Sequence, residues 1–162
     1  MKNKFINLYM DWADRVAQLS HAVRLNVGAV VVKDDTVISY GYNGMPAGWD
    51  NNCENVESTF DERDANSSDW TFNEDDKKYY RLKTKPEVLH AESNAIAKLA
   101  KSHNSGLGAT MFITHAPCLD CAKLIYQSGI GHVLYRNSYR DTSGITFLEK
   151  SGVRVEQMKK DA

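Results

Sequence analysis

The second half of the chain alternates between helical and extended patterns, and this alternation limits the possible folds more than any other feature. A helical pattern covers about residues 88–102 and another covers about 118–127, while "ATMFIT" and "HVLYR" are typical of buried strands. A third helix near "ITFLEKS" and a last strand "VRVEQ" continue the series. Helices that alternate with strands predict crossover connections and a sheet that is at least partly parallel. The sequence therefore predicts an α/β fold of three layers.

The first half adds a helix and a hairpin to this plan. The runs "VGAVVVK" and "TVISYGY" are rich in β-branched and aromatic residues, and Asp34 and Asp35 divide them, which predicts two antiparallel strands. Apolar residues before them recur at steps of three and four, which predicts an opening helix with one buried face made of Phe5, Tyr9, Trp12, Val16 and Leu19.

Residues from about 51 to 84 differ from the rest in being polar and acidic. We interpret them as an insertion on the surface of a single domain that covers residues 1–162, and we expect it to be partly helical near Tyr79 and Tyr80. The length suits one domain with a hydrophobic core.

Composition excludes several classes of function. The chain has 42% hydrophobic and 25% charged residues, and no apolar run approaches the ~20 residues that span a membrane. Its formal net charge of −1 lacks the basic footprint of proteins that bind long nucleic acids. Asp11 and Asp14 interrupt the N-terminal segment, which does not resemble a signal peptide, so we expect a cytoplasmic protein that acts on small molecules.

Two of the three cysteines, Cys118 and Cys121, are spaced as C-x-x-C at a predicted helix start that follows a strand. In this position the helix dipole favours thiolates, and His90 near the start of the preceding helix can supply a third ligand. Three protein ligands leave one tetrahedral position open, as catalytic zinc sites require. Glu92 leaves the backbone in a different direction and can move protons without acting as a ligand. "HAE" and "PCLDC" together form the H-x-E, P-C-x-x-C signature of zinc deaminases.

Other interpretations of the same residues stay open at this point. The C-x-x-C pair alone suits a redox dithiol, and a structural zinc site would need a fourth ligand. The candidates for that fourth ligand are His103, His115, His132 and Cys53. A structural site would leave Glu92 and the proline before Cys118 without a role.

Three longer segments carry a closer resemblance. "RLNVGAVVVKDDTVISYGYNGMPAGW", "LHAESNAI" and "APCLDCAKLIYQSGI" closely resemble the allosteric, zinc-dependent deoxycytidylate (dCMP) deaminases, over nearly the whole chain except about 51–84. The resemblance implies the cytidine deaminase-like fold, with a mixed five-stranded sheet between helices. It also implies hydrolysis of dCMP to dUMP and ammonia, in which zinc activates the water that attacks C4 and Glu92 transfers protons. The alternative is another zinc-dependent cytosine or adenine deaminase that acts on a free nucleoside or on nucleic acid.

The resemblance also implies roles for particular residues. Asn43 is expected at the sugar, Arg24 or Arg140 at the 5′-phosphate, and Tyr139, or alternatively Tyr135, against the base. The backbone next to the metal ligands is expected to hold the base edge; its residues are Ala91, Ala116 and Pro117.

A second set of expectations from the resemblance concerns regulation. The segment made of Gly41, Tyr42, Asn43 and Gly44 is expected in a pocket that binds dCTP as activator and dTTP as inhibitor, with Mg²⁺ on the triphosphate. Such proteins are commonly homohexamers. Some carry a cysteine at the position of Ala22 that binds an additional zinc, so we predict one zinc per chain here. The resemblance assigns no role to His115.

Overall fold

The computed structural model describes residues 1–159, and residues 160–162 of the predicted domain lie outside the described residues. Four helices and eight strands follow one another along the chain: α1 (Asn3–Ala17), β1 (Gly28–Lys33), β2 (Thr36–Tyr42), β3 (Glu54–Thr59), β4 (Thr71–Asn73), β5 (Lys78–Thr84), α2 (Ala91–Ala100), β6 (Thr110–His115), α3 (Leu119–Gln127), β7 (His132–Asn137), α4 (Ser143–Lys150) and β8 (Arg154–Gln157). None of the helices in this described part is long and apolar enough to cross a bilayer.

A mixed five-stranded sheet forms the centre, in the order β2-β1-β6-β7-β8. Strand β1 pairs antiparallel with both β2 and β6, whereas β6, β7 and β8 are parallel neighbours. The predicted hairpin and the predicted crossovers are both present, with α3 and α4 as the crossover helices. The predicted α/β class is therefore confirmed.

Helices cover both faces of this sheet, which makes three layers. On one face, Met111 and Ile113 of β6 pack in a cluster with residues of α2, α3 and α4. On the other face, Phe112 packs with Tyr9 and Met10 of α1. Side chains of a strand alternate between the two faces, so one strand supplies both halves of the core.

The buried face of α1 differs from the predicted one. Trp12 is 45% exposed and Leu19 is 53% exposed, while Ala13 and Ala17 are buried. A Cβ on Gly28 would lie 2.2 Å from the carbonyl oxygen of Ala13, so helix and strand touch through small residues. The prediction assigned the most hydrophobic residues to the buried face. Where helix and strand approach this closely, residues with small side chains are buried instead.

The segment 51–84 is a three-stranded antiparallel sheet in the order β3-β5-β4, and the predicted helix near Tyr79 and Tyr80 is wrong. Tyr79 pairs with Thr59 of β3, and its ring packs on Phe72 of β4 at 4.9 Å between ring centroids. Aromatic pairs across strands stabilise a sheet. The pairing of Tyr79 with Thr59 joins residues twenty positions apart in the sequence, and a local pattern cannot reveal such a pairing.

Helix α2 is shorter than the predicted 88–102. Residues before it are extended, because Leu89 and Gly44 exchange two backbone hydrogen bonds of 2.8 and 3.1 Å. The helix ends with Lys101 as C-cap. His90 consequently becomes the N-cap residue of α2.

Candidate active site

His90, Cys118 and Cys121 meet where two helices begin. His90 precedes the first turn of α2, and Cys118 is the N-cap of α3, where its sulfur accepts a hydrogen bond from the Cys121 backbone N–H. The Nδ1 atom of His90 lies 3.6 Å from Sγ of Cys118 and 3.4 Å from Sγ of Cys121. These are the residues that the sequence predicted as metal ligands.

The three ligand atoms fit a tetrahedral zinc ion. They all lie within 4.8 Å of one another, and within residues 1–159 no other group of three such atoms is this compact. Zinc bonds of about 2.3 Å to sulfur and about 2.0–2.1 Å to nitrogen place sulfur and nitrogen about 3.6 Å apart in a tetrahedron. The observed separations of 3.4 and 3.6 Å match that value.

The electrostatics of the two thiols also suit a metal. Hydrogen bonds from Cys121 and His90 lower the pKa of Cys118 to about 4. The same hydrogen bond to Cys118, together with burial, raises the pKa of Cys121. The pair therefore holds one thiolate and one proton, and a cation that binds both sulfurs takes the place of that proton.

Glu92 lies in the first turn of α2 and is 4% exposed. Burial raises the pKa of Glu92 to about 7, against a smaller lowering by its own backbone N–H and by His90. A carboxyl group with a pKa near neutrality can both take and return a proton, which is the property that general acid/base catalysis needs.

Both helix starts are rigidly attached to the sheet. On the α2 side, a Cβ on Gly41 would lie 2.2 Å from the carbonyl oxygen of Ala91, and Asn94 donates a 2.8 Å hydrogen bond to the Tyr42 carbonyl. On the α3 side, the N–H of Ala116 donates to the carbonyl of Asn137 at 2.9 Å. These contacts fix the positions of His90 and Cys118 relative to the sheet. At Gly41 the absence of a side chain permits the close approach of strand and helix.

A cavity of about 290 Å³ opens in front of His90, Cys118 and Glu92. Its walls contain five of the predicted substrate-binding residues: Arg24, Asn43, Ala91, Ala116 and Tyr139. The volume is near the lower end of the range for small-molecule pockets. The structure thus brings together residues from β3, β5, α2, β6 and the loops beside them.

The side chain of Asn43 forms hydrogen bonds within the wall of this cavity. Its Oδ1 accepts from the Val27 N–H at 2.9 Å, and its Nδ2 donates to the Leu25 carbonyl at 2.8 Å. It therefore shapes the loop that carries Leu25 and Val27, which both line the cavity.

Three predicted residues lie away from the cavity. Arg140 points to the insertion and forms an ion pair with Asp69 at 2.7 Å, so its position does not support a phosphate role. Pro117 is fully buried in the turn between β6 and α3. Tyr135, the alternative to Tyr139, lies within β7.

The segment 41–44 adjoins the start of α2 along its length. Gly41 and Tyr42 contact the helix as described above, and Gly44 pairs with Leu89, next to His90. Tyr42 also packs against the α1 side of the core. The segment 41–44 is thus in direct contact with the element that carries His90 and Glu92.

The candidate fourth ligands have other surroundings. His132 pairs with Glu156 at 3.0 Å, and Nδ1 of His115 hydrogen-bonds the Thr114 hydroxyl at 3.0 Å. Cys53 is buried in a small apolar cluster, and His103 is exposed. The interpretation as a structural four-ligand site therefore finds no support among the described residues.

Sequence reasoning missed two residues of the cavity wall, Glu54 and Thr84, and assigned no role to a third, His115. Burial lowers the pKa of His115, against a smaller opposing effect of Asp14. Glu54 and Thr84 belong to the insertion, and no local signal in the sequence connects them with the metal ligands. His115 directly precedes "APC" in the sequence, and this position places it in the cavity wall next to Ala116.

Zinc enzymes that deaminate nucleobases share this arrangement of one histidine, two cysteines and a glutamate that is not a ligand, and the chain falls in that class. A family model described as "Cytidine and deoxycytidylate deaminase zinc-binding region" matches residues 3–137. The chain therefore belongs to the cytidine and deoxycytidylate deaminase family.

Individual relatives agree with this membership. The chain is 36% identical over 151 residues to the deoxycytidylate deaminase of Enterobacteria phage T4, which covers 76% of this chain and 73% of the relative. It is 36% identical over 127 residues to the deoxycytidylate deaminase of Mycobacterium phage D29, with 78% and 90% covered. The crystal structure of the dCMP deaminase from cyanophage S-TIM5 in complex with dCMP and dUMP aligns with a TM-score of 0.78 and 40% identity, and covers 98% of this chain and 99% of the other.

Proposed function

We propose that the protein hydrolyses dCMP to dUMP and ammonia and so supplies dUMP for thymidylate synthesis. The observation that carries the proposal is the buried Glu92 beside the His90, Cys118 and Cys121 group, at one end of a cavity that has Arg24 in its wall. The similar S-TIM5 structure, with dCMP and dUMP bound to it, supports the choice of substrate.

The chain supplies the ligands and the proton carrier for this reaction. His90, Cys118 and Cys121 would hold a zinc ion, which acidifies water and so provides a nucleophile at neutral pH. Glu92 accepts a proton from the attacking water and passes it to N3 of the base. A second proton goes through Glu92 to the amino group at C4, so that ammonia leaves and a carbonyl forms.

Substrate positioning follows from the cavity wall. The Ala116 N–H is bonded to Asn137, so its carbonyl oxygen is the backbone group available for the 4-amino group of cytosine. Tyr139 is partly exposed at the cavity and offers a ring for the base or sugar. Arg24 would bind the 5′-phosphate, because a guanidinium forms strong, directed hydrogen bonds with phosphate oxygens.

We also propose control by nucleoside triphosphates through the segment 41–44. Because this segment contacts the start of α2, a ligand that prefers one arrangement of the loop would shift the arrangement of His90 and Glu92. In this proposal dCTP with Mg²⁺ activates, dTTP inhibits, and the protein works as a homohexamer.

The test of the main proposal is a substrate panel. Purified zinc-loaded protein is incubated separately with dCMP, dCTP, cytidine and a cytosine-containing oligonucleotide, and loss of cytosine absorbance is followed beside ammonia release. We expect turnover of dCMP far above the others. If the protein prefers cytidine or the oligonucleotide, the proposal that dCMP is the substrate is wrong. If none of the four compounds releases ammonia, the protein is a zinc protein without deaminase activity.

A further inference from the structure

The insertion contributes two residues to the cavity wall from its base. Glu54 is the first residue of β3 and Thr84 is the last residue of β5, and the two are paired opposite each other in the antiparallel ladder. Both line the cavity, together with Arg24. The distal part of the insertion lies farther along the same strands.

Glu54 holds the backbone of the loop that contains Arg24. Its side chain is buried, with the residue 6% exposed, and one carboxylate oxygen accepts hydrogen bonds from the N–H groups of Val23 at 2.8 Å and Arg24 at 3.1 Å. Charge-assisted bonds to a buried carboxylate are stronger than neutral ones, and leaving such a group unpaired is costly. The loop is therefore tied firmly to β3 at this point.

An apolar contact next to these bonds strengthens the attachment. Cys53, which precedes Glu54, is fully buried against Ala22 and Val88. Ala22 in turn precedes Val23, so adjacent residues of the loop and of the strand are joined by packing and by hydrogen bonds.

Thr84 holds the other end of Arg24. The Nη1 atom of Arg24 donates to the Thr84 hydroxyl at 3.2 Å. Within residues 1–159 the hydrogen-bond partner of this guanidinium is thus a neutral hydroxyl, and its positive charge stays available for an anion. A long side chain that is already oriented loses less conformational entropy when it binds.

We propose that Glu54 and Thr84 are positioning residues that hold Arg24 for the 5′-phosphate of the substrate, so that the insertion sets the preference for a nucleotide over a nucleoside. The inference rests on the proposed function, since it takes dCMP as the substrate. It gives the segment 51–84 a role that its sequence did not indicate.

The experiment compares kcat and KM for dCMP and for deoxycytidine, which lacks the phosphate, in zinc-loaded full-length protein. The variants are Glu54→Ala, Glu54→Gln and Thr84→Val. Thr59→Val is the matched control, because Thr59 lies at the opposite end of β3 from Glu54. Zinc content is measured for each sample.

We expect Glu54→Ala to raise KM for dCMP by about ten-fold, which corresponds to about 1.4 kcal/mol, with kcat and the kcat/KM for deoxycytidine changed far less. Thr84→Val should raise KM for dCMP by about three-fold. Glu54→Gln keeps an oxygen acceptor and should restore most of the loss, and Thr59→Val should match the parent protein.

Two results would overturn the inference: an equal fall in kcat/KM for dCMP and deoxycytidine, or an unchanged KM for dCMP. If Glu54→Ala does not fold, Thr84→Val decides between the same outcomes. If the parent protein shows no preference for dCMP over deoxycytidine, the phosphate is not recognised and the inference fails on that result alone. Failure of the parent protein to deaminate dCMP at all would instead overturn the proposed function.

Discussion

Glu92→Gln separates the catalytic role of Glu92 from its effect on stability. The amide keeps the size of the side chain but cannot carry a proton, so we expect kcat for dCMP to fall by about 10²–10⁴-fold. Zinc content should be unchanged, because His90, Cys118 and Cys121 remain. Steady-state rates beside metal analysis test this, and Glu149→Gln on the exposed side of α4 serves as the control.

The magnitude of the stability effect follows from the pKa of Glu92. Burial raises that pKa from its ordinary value of 4.5 to about 7. Each pKa unit corresponds to about 1.36 kcal/mol, so the ionised carboxyl destabilises the metal-free fold by about 3 kcal/mol. A carboxyl with a raised folded-state pKa is neutral in both states below pH 4.5, so the cost is absent there. It grows as the pH rises and is complete above pH 7.

We therefore expect metal-free Glu92→Gln to gain about 3 kcal/mol in free energy of unfolding relative to the parent protein between pH 4 and pH 8. Urea unfolding of chelator-treated, reduced samples at both pH values measures the difference. A constant difference across this range would refute the assignment of a buried, destabilised carboxyl. Retention of normal turnover would refute the catalytic role.

Other predictions concern the metal site and the regulatory loop. Cys118→Ser and Cys121→Ser should each lose zinc and activity together, as measured by metal analysis and rates, and full zinc occupancy in either variant would contradict the ligand assignment. Gly41→Ala should destabilise the fold by about 1–3 kcal/mol and lower kcat, because its Cβ would lie 2.2 Å from a backbone oxygen of α2. Gly44→Ala, with nothing within 4 Å of its Cβ, should keep the parent stability in the same urea experiment. The dependence of the rate on dCMP concentration should become less sigmoidal with dCTP and Mg²⁺, and dTTP should lower the rate at subsaturating dCMP. Asn43→Ala should weaken both effects. Rate curves that do not respond to either triphosphate, together with no triphosphate binding, would exclude this regulation.

Local sequence was sufficient to predict the central sheet and the group formed by His90, Cys118 and Cys121. The alternation of strand and helix patterns predicted five strands and the helices on both faces, because each pattern reports burial within a few residues. "HAE" and "PCLDC" predicted the ligands and Glu92, since the chemistry of zinc and of proton transfer restricts the residue types at short spacings. The sequence also predicted that Cys118 lies at the edge of the sheet, because a predicted strand ends just before it.

Only the tertiary structure decided the opposite wall of the cavity. Arg24 contacts Glu54 and Thr84, which lie 30 and 60 residues away in the sequence. Arg140 forms an ion pair with Asp69, 71 residues away, and so lies outside the cavity. The register of β3 against β5 brings Glu54 and Thr84 together, and a shift of one residue would turn their side chains to the other face. Such pairings depend on packing between distant segments, and the pattern within either segment carries no information about its partner.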